Sequence, residues 1–189
     1  PEHSSPLRYM RLAPLALAAT ALNAAIETAG LTFLALYALS LGWQEPQATQ
    51  LMTCMMLGAI VLQLPIGWLG DKTDRHRLVI ILAGLAALGA LLWPLALQSP
   101  VATYGLLFIW GGLFVGIYTI MLTIVGSRFK GSDLVGIYAS MGLLWGFGAL
   151  LGPVLAGAAM QVFTHGLTIF VSLVCALFMI MAIRLKKNG

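Results

Sequence analysis

The sequence predicts an all-α membrane protein whose six transmembrane helices form two inverted three-helix repeats. Composition is the first reason. Of 189 residues, 8% are charged and 60% hydrophobic, whereas a soluble domain carries about a quarter charged and just under half apolar residues. That inventory cannot cover a water-exposed surface, and a mean hydropathy of +0.97 agrees. Segment length is the second. Six apolar runs can be drawn at 13–39, 48–69, 78–97, 102–126, 134–161 and 166–183. Most reach the roughly 20 residues that a helix needs to cross about 30 Å of hydrocarbon. Lipid offers no partner for exposed backbone groups, so segments of this length must be helices. A strand barrel would show alternating segments of about 10 residues, which are absent. The third reason is a short repeat: Gly58-x6-Pro65 in the second run recurs as Gly146-x6-Pro153 in the fifth, 88 residues on. Three helices separate the copies, so they run in opposite directions, as in transporters built from inverted repeats with Gly/Pro-interrupted helices.

Taken in order, the chain opens with Pro1-Glu2-His3-Ser4-Ser5-Pro6, a polar, proline-bearing start without an initiator Met or a cleavable signal pattern. Residues 1–11 read as a cytoplasmic linker in a longer chain, 12–185 as the six-helix unit and 186–189 as a cytoplasmic tail. The first run holds Glu27, the only charge deep inside a segment. Thr20, Asn23, Glu27 and Gly30 fall at i, i+3, i+7 and i+10, one stripe of a helix. An intramembrane carboxylate costs at least a few kcal/mol to bury, so such groups face a cavity or a partner and mark a pathway. Glu27 is therefore a candidate proton carrier or cation partner. The alternative is a protonated Glu27 in a static interhelical hydrogen bond, with Gln63 as one possible partner.

Between the second and third runs lies Ile66-Gly67-Trp68-Leu69-Gly70-Asp71-Lys72-Thr73-Asp74-Arg75-His76-Arg77. The chain has ten Lys and Arg and six Asp and Glu, and five of these sixteen charges fall in this loop. The basic residues sort cleanly. Arg8 and Arg11 precede the first helix, and Lys72, Arg75 and Arg77 follow the second. Arg128 and Lys130 follow the fourth, and Arg184, Lys186 and Lys187 follow the sixth. Six crossings put all four groups on one side, and the positive-inside rule makes that side, with both termini, cytoplasmic. A net charge of +4 spread in this way is orientation signalling, not a nucleic-acid face.

Polarity is uneven among the helices. The third has no polar side chain and the sixth only Thr168, Ser172 and Cys175. Gln63, Tyr118, Thr119, Thr123 and Trp145 lie on the second, fourth and fifth. This puts helices three and six against lipid and the other four around a polar interior or a partner. For Gln63, Tyr118, Thr119, Thr123 and Trp145, ordinary interhelical packing stands beside a role in a cavity. Gly112-x3-Gly116, Gly142-x3-Gly146 and Gly148-x3-Gly152 offer small surfaces for close helix contact. Pro153 lacks an N–H and makes a kink or a hinge with Gly152.

Enzyme readings fare badly. His3, His76 and His165 lie in loops or termini, no intramembrane aspartate pair exists, and no Cys/His cluster has metal spacing. No phosphate-binding G-x4-G-K-[ST] stretch is present, and nothing calls for a cofactor. Cys54 and Cys175 fall inside apolar runs and read as buried packing.

The loop Gly67-x-Leu69-Gly70-Asp71-Lys72-x-Asp74-Arg75-His76-Arg77 resembles the G-x-L-a-D-r-x-G-r-k motif of the major facilitator superfamily, and it lies where that family places it. Asp74 stands where the family favours glycine, and His76 replaces a fixed basic residue. Gly148-x3-Gly152-Pro153 is similar to the family's fifth-helix glycine–proline motif. Tyr37-Ala38-Leu39-Ser40-Leu41-Gly42 and Gln63-Leu64-Pro65-Ile66-Gly67 resemble the C-terminal half of YcaD-type bacterial transporters. The resemblance implies the C-terminal half of a twelve-helix fold in a bacterial inner membrane. It implies a partner N-terminal six-helix half, a small-molecule substrate moved by alternating access, and protons as a possible co-substrate. It further implies that Asp71 meets a helix N-terminus of the opposite half, a contact worth up to ~2 kcal/mol, and that Arg75 holds the loop by ion pairing. The simpler reading leaves the loop charges as topology anchors. A different class, a self-contained six-helix channel or membrane scaffold, stays open from sequence alone.

Overall fold

A computed structural model describes residues 6–186, without the Lys186 side chain. Among these described residues there are eight helices: α1 (Pro6–Leu12), α2 (Pro14–Ser40), α3 (Glu45–Val61), α4 (Gln63–Lys72), α5 (Arg75–Ala96), α6 (Pro100–Arg128), α7 (Gly131–Val162) and α8 (Gly166–Lys186). Six stretches are long and apolar enough to cross a membrane: α2, α3 with α4, α5, α6, α7 and α8. The spans run a few residues past most of the apolar runs, because polar residues at the membrane surface still continue a helix. Within the expected linker, Pro6–Leu12 already forms a helix. Residues 1–5 and 187–189, including Lys187 and most of the expected tail, lie outside the described residues.

The helix ends follow local chemistry. Pro14, Pro46 and Pro100 sit in the first turns of α2, α3 and α6, where a missing N–H costs nothing. At the end of α2, Gly42 takes φ +98°, and the N–H groups of Gly42 and Trp43 return to Leu39 O and Ala38 O. Asp74 caps α5, its carboxylate accepting from the His76 N–H at 3.2 Å. The second span breaks at Leu62, three residues before Pro65, whose ring and absent N–H disfavour an unbroken ladder. Gln63 Nε2 donates to Ala59 O at 2.7 Å across the break. By contrast α7 is helical through Pro153.

Two crossings bring backbones together. A Cβ added at Gly148 would collide with Ala21 O of α2, and one at Gly152 would lie 2.5 Å from Ala25 O. In the other half of the bundle, a Cβ at Gly58 would collide with Phe108 O, and one at Gly111 with Met55 O. Thus α2 crosses α7 as α3 crosses α6, the pairing expected when the triplet α2 to α5 is exchanged for α6 to α8. The glycine that matches Gly58 at its crossing is Gly148, two positions beyond the Gly146 that the sequence repeat aligns. Both Gly142 and Gly146 look into open space, while Gly112 and Gly116 meet the Leu62 and Ile66 side chains.

Behind these crossings, α5 and α8 pack on each other and α5 packs on α6. Trp110 fills this core, fully buried, 4.8 Å from Trp93 and 4.9 Å from Phe114 between ring centroids. Gly89 leaves room for the indole, whose Cδ1 lies 2.7 Å from where a Cβ would sit. Trp110 Nε1 donates to Ala86 O at 2.8 Å, and Ser172 Oγ donates to Ala87 O at 2.9 Å. Interhelical hydrogen bonds in lipid contribute about 0.6–2 kcal/mol each. The outer faces of α5 and α8 are exposed apolar stripes, Ile81, Leu85, Leu88, Leu92 and Leu95 on one and Ile169, Leu173, Leu177 and Ile180 on the other. These suit lipid contact. The most open spans, however, are α3–α4 and α7.

The crossings yield a matched pair of expectations. Gly148→Ala forces a methyl group into the α2 backbone and is expected to lower thermal stability in detergent, with overpacking worth about 1–3 kcal/mol. Gly146→Ala meets open space and should leave the midpoint unchanged. Equal effects of the two substitutions would contradict the crossing described here.

Candidate functional site

Thr20, Asn23 and Glu27 share one stripe of α2, and their environments differ. Thr20 is buried, its Oγ1 donating to Ala16 O at 2.8 Å. Asn23 is also buried, and its Oδ1 has no hydrogen-bond partner. Glu27 is half-buried near the middle of the 27-residue helix, and its carboxylate makes no hydrogen bond or ion pair among the described residues. No Glu27–Gln63 bond forms. Gln63 spends its Nε2 on Ala59 O, and its Oε1 is buried without a partner.

An open-sided cavity of about 290 Å³ lies between α2, α6 and α7, lined by Thr20, Tyr118, Leu122, Tyr138, Met141, Gly142 and Trp145. The rings of Tyr118 and Trp145 meet edge-on across it, centroids 5.9 Å apart. The sequence puts Glu27, Asn23, Thr20, Tyr118 and Trp145 about one cavity; Thr20, Tyr118 and Trp145 line this one, Glu27 and Asn23 do not, and Tyr138, Met141 and Gly142 were passed over. The signal existed: with Trp145 these fall at i, i+3, i+4 and i+7, one face of α7. At about 290 Å³ the cavity stands at the lower edge of the roughly 300–1,000 Å³ that small-molecule sites span, and one side of it is open.

A second hollow of about 420 Å³ lies at the loop, lined by Gln63, Gly67, Gly70, Asp71, Arg75 and Thr123 among others. Gln63 and Thr123 thus belong with the loop residues, apart from Tyr118 and Trp145. On α6, Thr123 sits five residues past Tyr118, about 140° around the helix. Its Oγ1 donates to Thr119 O at 3.1 Å, and Thr119 lines neither hollow. Gly70 faces Ile120, whose Cδ1 lies 2.7 Å from a built Cβ, so a larger residue here requires the end of the Ile120 side chain to move. Gly67 faces open space. Asp71 and Arg77 are exposed. Arg75 Nη2 donates to Asp71 Oδ1 at 3.2 Å, while the Arg75 Nε is buried without a partner. Gly148, Gly152 and Pro153 stand at the α2–α7 crossing, directly behind the stripe that carries Asn23 and Glu27. Among the described residues, no group of three or more His, Cys, Asp or Glu could hold a metal ion.

The comparisons with known proteins fit this arrangement. The sequence model of the Major Facilitator Superfamily matches residues 16–188. The chain is 28% identical over 140 residues to the uncharacterized MFS-type transporter YfkF of Bacillus subtilis (strain 168), covering 73% of this chain and 35% of that protein. It is 27% identical over 138 residues to the uncharacterized MFS-type transporter Ent638_1421 of Enterobacter sp. (strain 638), again 73% of this chain and 35% of the relative. The aligned region therefore spans about a third of the length of these curated relatives. No solved structure matches the chain. With six membrane-spanning helices and a family match over nearly its whole length, this chain belongs to the major facilitator superfamily.

Proposed function

We propose that this chain is the C-terminal six-helix half of a secondary transporter that moves a small solute by alternating access. Its partner is an N-terminal six-helix half, and both ends of the segment face the cytoplasm of a bacterial cell. The solute site is the open-sided cavity at Thr20, Tyr118 and Trp145, completed by the opposite half. The observation that carries this reading is Glu27, an unpaired carboxyl group near the middle of a membrane-spanning helix. A carboxyl group without a partner at that depth is costly and is kept where a proton or a cation passes. The coverage of the relatives, 35% of each, supports the half-protein reading. The kinship to YcaD-type transporters rests on the stretches at 37–42 and 63–67 alone.

On this reading Glu27 carries the coupling proton. In the complete transporter Glu27→Gln, which keeps shape and removes the charge, should abolish the pH dependence of transport while the protein still inserts. Transport and a pH profile equal to wild type would sink the proposal.

The loop supports a second expectation. The Asp71–Arg75 pair bridges the turn between α4 and α5 near the surface, and such exposed ion pairs are worth about 0.2–1 kcal/mol. Asp71→Asn should therefore leave thermal stability within about 1 kcal/mol of wild type. As a latch that holds one conformation against the opposite half, Asp71 should nevertheless cost most of the transport rate when neutralised. Full transport by Asp71→Asn in vesicles would reduce the loop to a topology anchor.

A further inference from the structure

A further hollow among the described residues is separate from the proposed solute cavity. It measures about 640 Å³ and lies at the basic end of the bundle, walled by the α1–α2 junction, the start of α5, the end of α6 and the end of α8. Two arginines line it, Arg11 at the α1–α2 junction and Arg128 at the end of α6, the latter with its guanidinium over the Phe129 ring, 5.9 Å from the centroid. Among the described residues neither has an ion-pair partner, whereas Arg8 and Arg75 are paired with Asp133 and Asp71. His76 also lines the hollow and is held by its Nε2, which lies 2.8 Å from Ala182 O. Among the described residues the wall carries one carboxylate, Asp74, which caps α5 by accepting from the His76 N–H. Asp74 thereby offsets the positive end of the α5 dipole, and the two arginines are the cationic part of the wall. The floor is apolar, with Met121, Val125 and Leu185.

Two guanidinium forks recognise planar or tetrahedral oxyanions by paired hydrogen bonds, and a tetrahedral phosphate offers oxygens to both forks at once. The hollow lies where α2 begins and α6 ends, at the depth of lipid headgroups. Its volume exceeds that of a single ion and is within the range of small-molecule sites. We propose that this hollow binds a phosphate oxyanion between Arg11 and Arg128, at a site distinct from the transported solute. Two sources share that chemistry: the phosphodiester of an anionic phospholipid, whose glycerol and first methylenes would lie on the apolar floor, and free inorganic phosphate.

The test uses the complete transporter in a neutral detergent, titrated with dihexanoyl-phosphatidylglycerol in one arm and inorganic phosphate in the other. Thermal stabilisation and native mass spectrometry read the binding. Saturable binding of either probe is expected, with the lipid arm alone identifying a headgroup and the phosphate arm alone identifying the free anion. Arg11→Gln and Arg128→Gln should each weaken the bound probe on the order of tenfold, the scale of one lost charge-assisted hydrogen bond. Arg128→Lys should recover part of the affinity. Lys130→Gln removes one charge from the same end without touching the hollow and should leave the affinity unchanged. Binding by neither probe overturns the proposal. So does equal weakening by Lys130→Gln, which would make the effect one of general charge.

Discussion

Everything in this bundle depends on two places where helix backbones touch. In lipid, burying apolar surface between helices gains little, because acyl chains are as apolar as leucine. Helices then hold together through close van der Waals packing and interhelical hydrogen bonds. Gly148 and Gly152 bring α7 onto the carbonyls of α2, and Gly58 and Gly111 do the same for α3 and α6. Once these crossings are set, α5 and α8 have one shared place to pack, around Trp110. The remaining faces of α3–α4 and α7 are left uncovered, and the stripe of α2 that carries Glu27 has the α7 crossing behind it.

Polar groups divide along the same line. At the back of the bundle the indole of Trp110 and the hydroxyl of Ser172 find backbone carbonyls, and Trp93 Nε1 is the exception. At the front, the Asn23 and Gln63 side-chain oxygens and the Arg75 Nε are buried without partners. A buried polar atom without a partner costs about 1–3 kcal/mol. Asn23 and Gln63 are thus polar side chains whose oxygens the described helices leave unsatisfied.

Much of this was legible in the sequence. Hydropathy sets the number of spans, and the prolines and Asp74 mark helix starts, because both signals are local. Uniform apolarity put the third and sixth spans against lipid; α5 and α8 do carry exposed leucine stripes, but α3–α4 and α7 are the more open spans. What the sequence could not show was which small-residue pair makes a crossing. Gly142-x3-Gly146 and Gly148-x3-Gly152 look equivalent, yet their faces differ by about 120° around the helix once six residues separate them, and only one points at α2. The stripe on α2 was readable from its spacing. That Tyr118 meets Trp145, while Gln63 and Thr123 fall at the loop, depends on helix rotation, which no local pattern encodes. The break at Leu62 was hidden because the run around it is continuously apolar, although Pro65 marked it.

The short helix α1 carries a mechanical consequence. Tyr9 is buried against Gly136, where a Cβ would collide with its ring, and Arg8 pairs with Asp133 at 3.2 Å. Both contacts are made to α7, although α1 is continuous in chain with α2. A pull on the chain ahead of Pro6 is therefore shared between two helices: it reaches α2 along the backbone and α7 through the tyrosine. Since α2 and α7 also meet backbone to backbone at Gly148 and Gly152, the two helices that share the load are the two that already touch most closely.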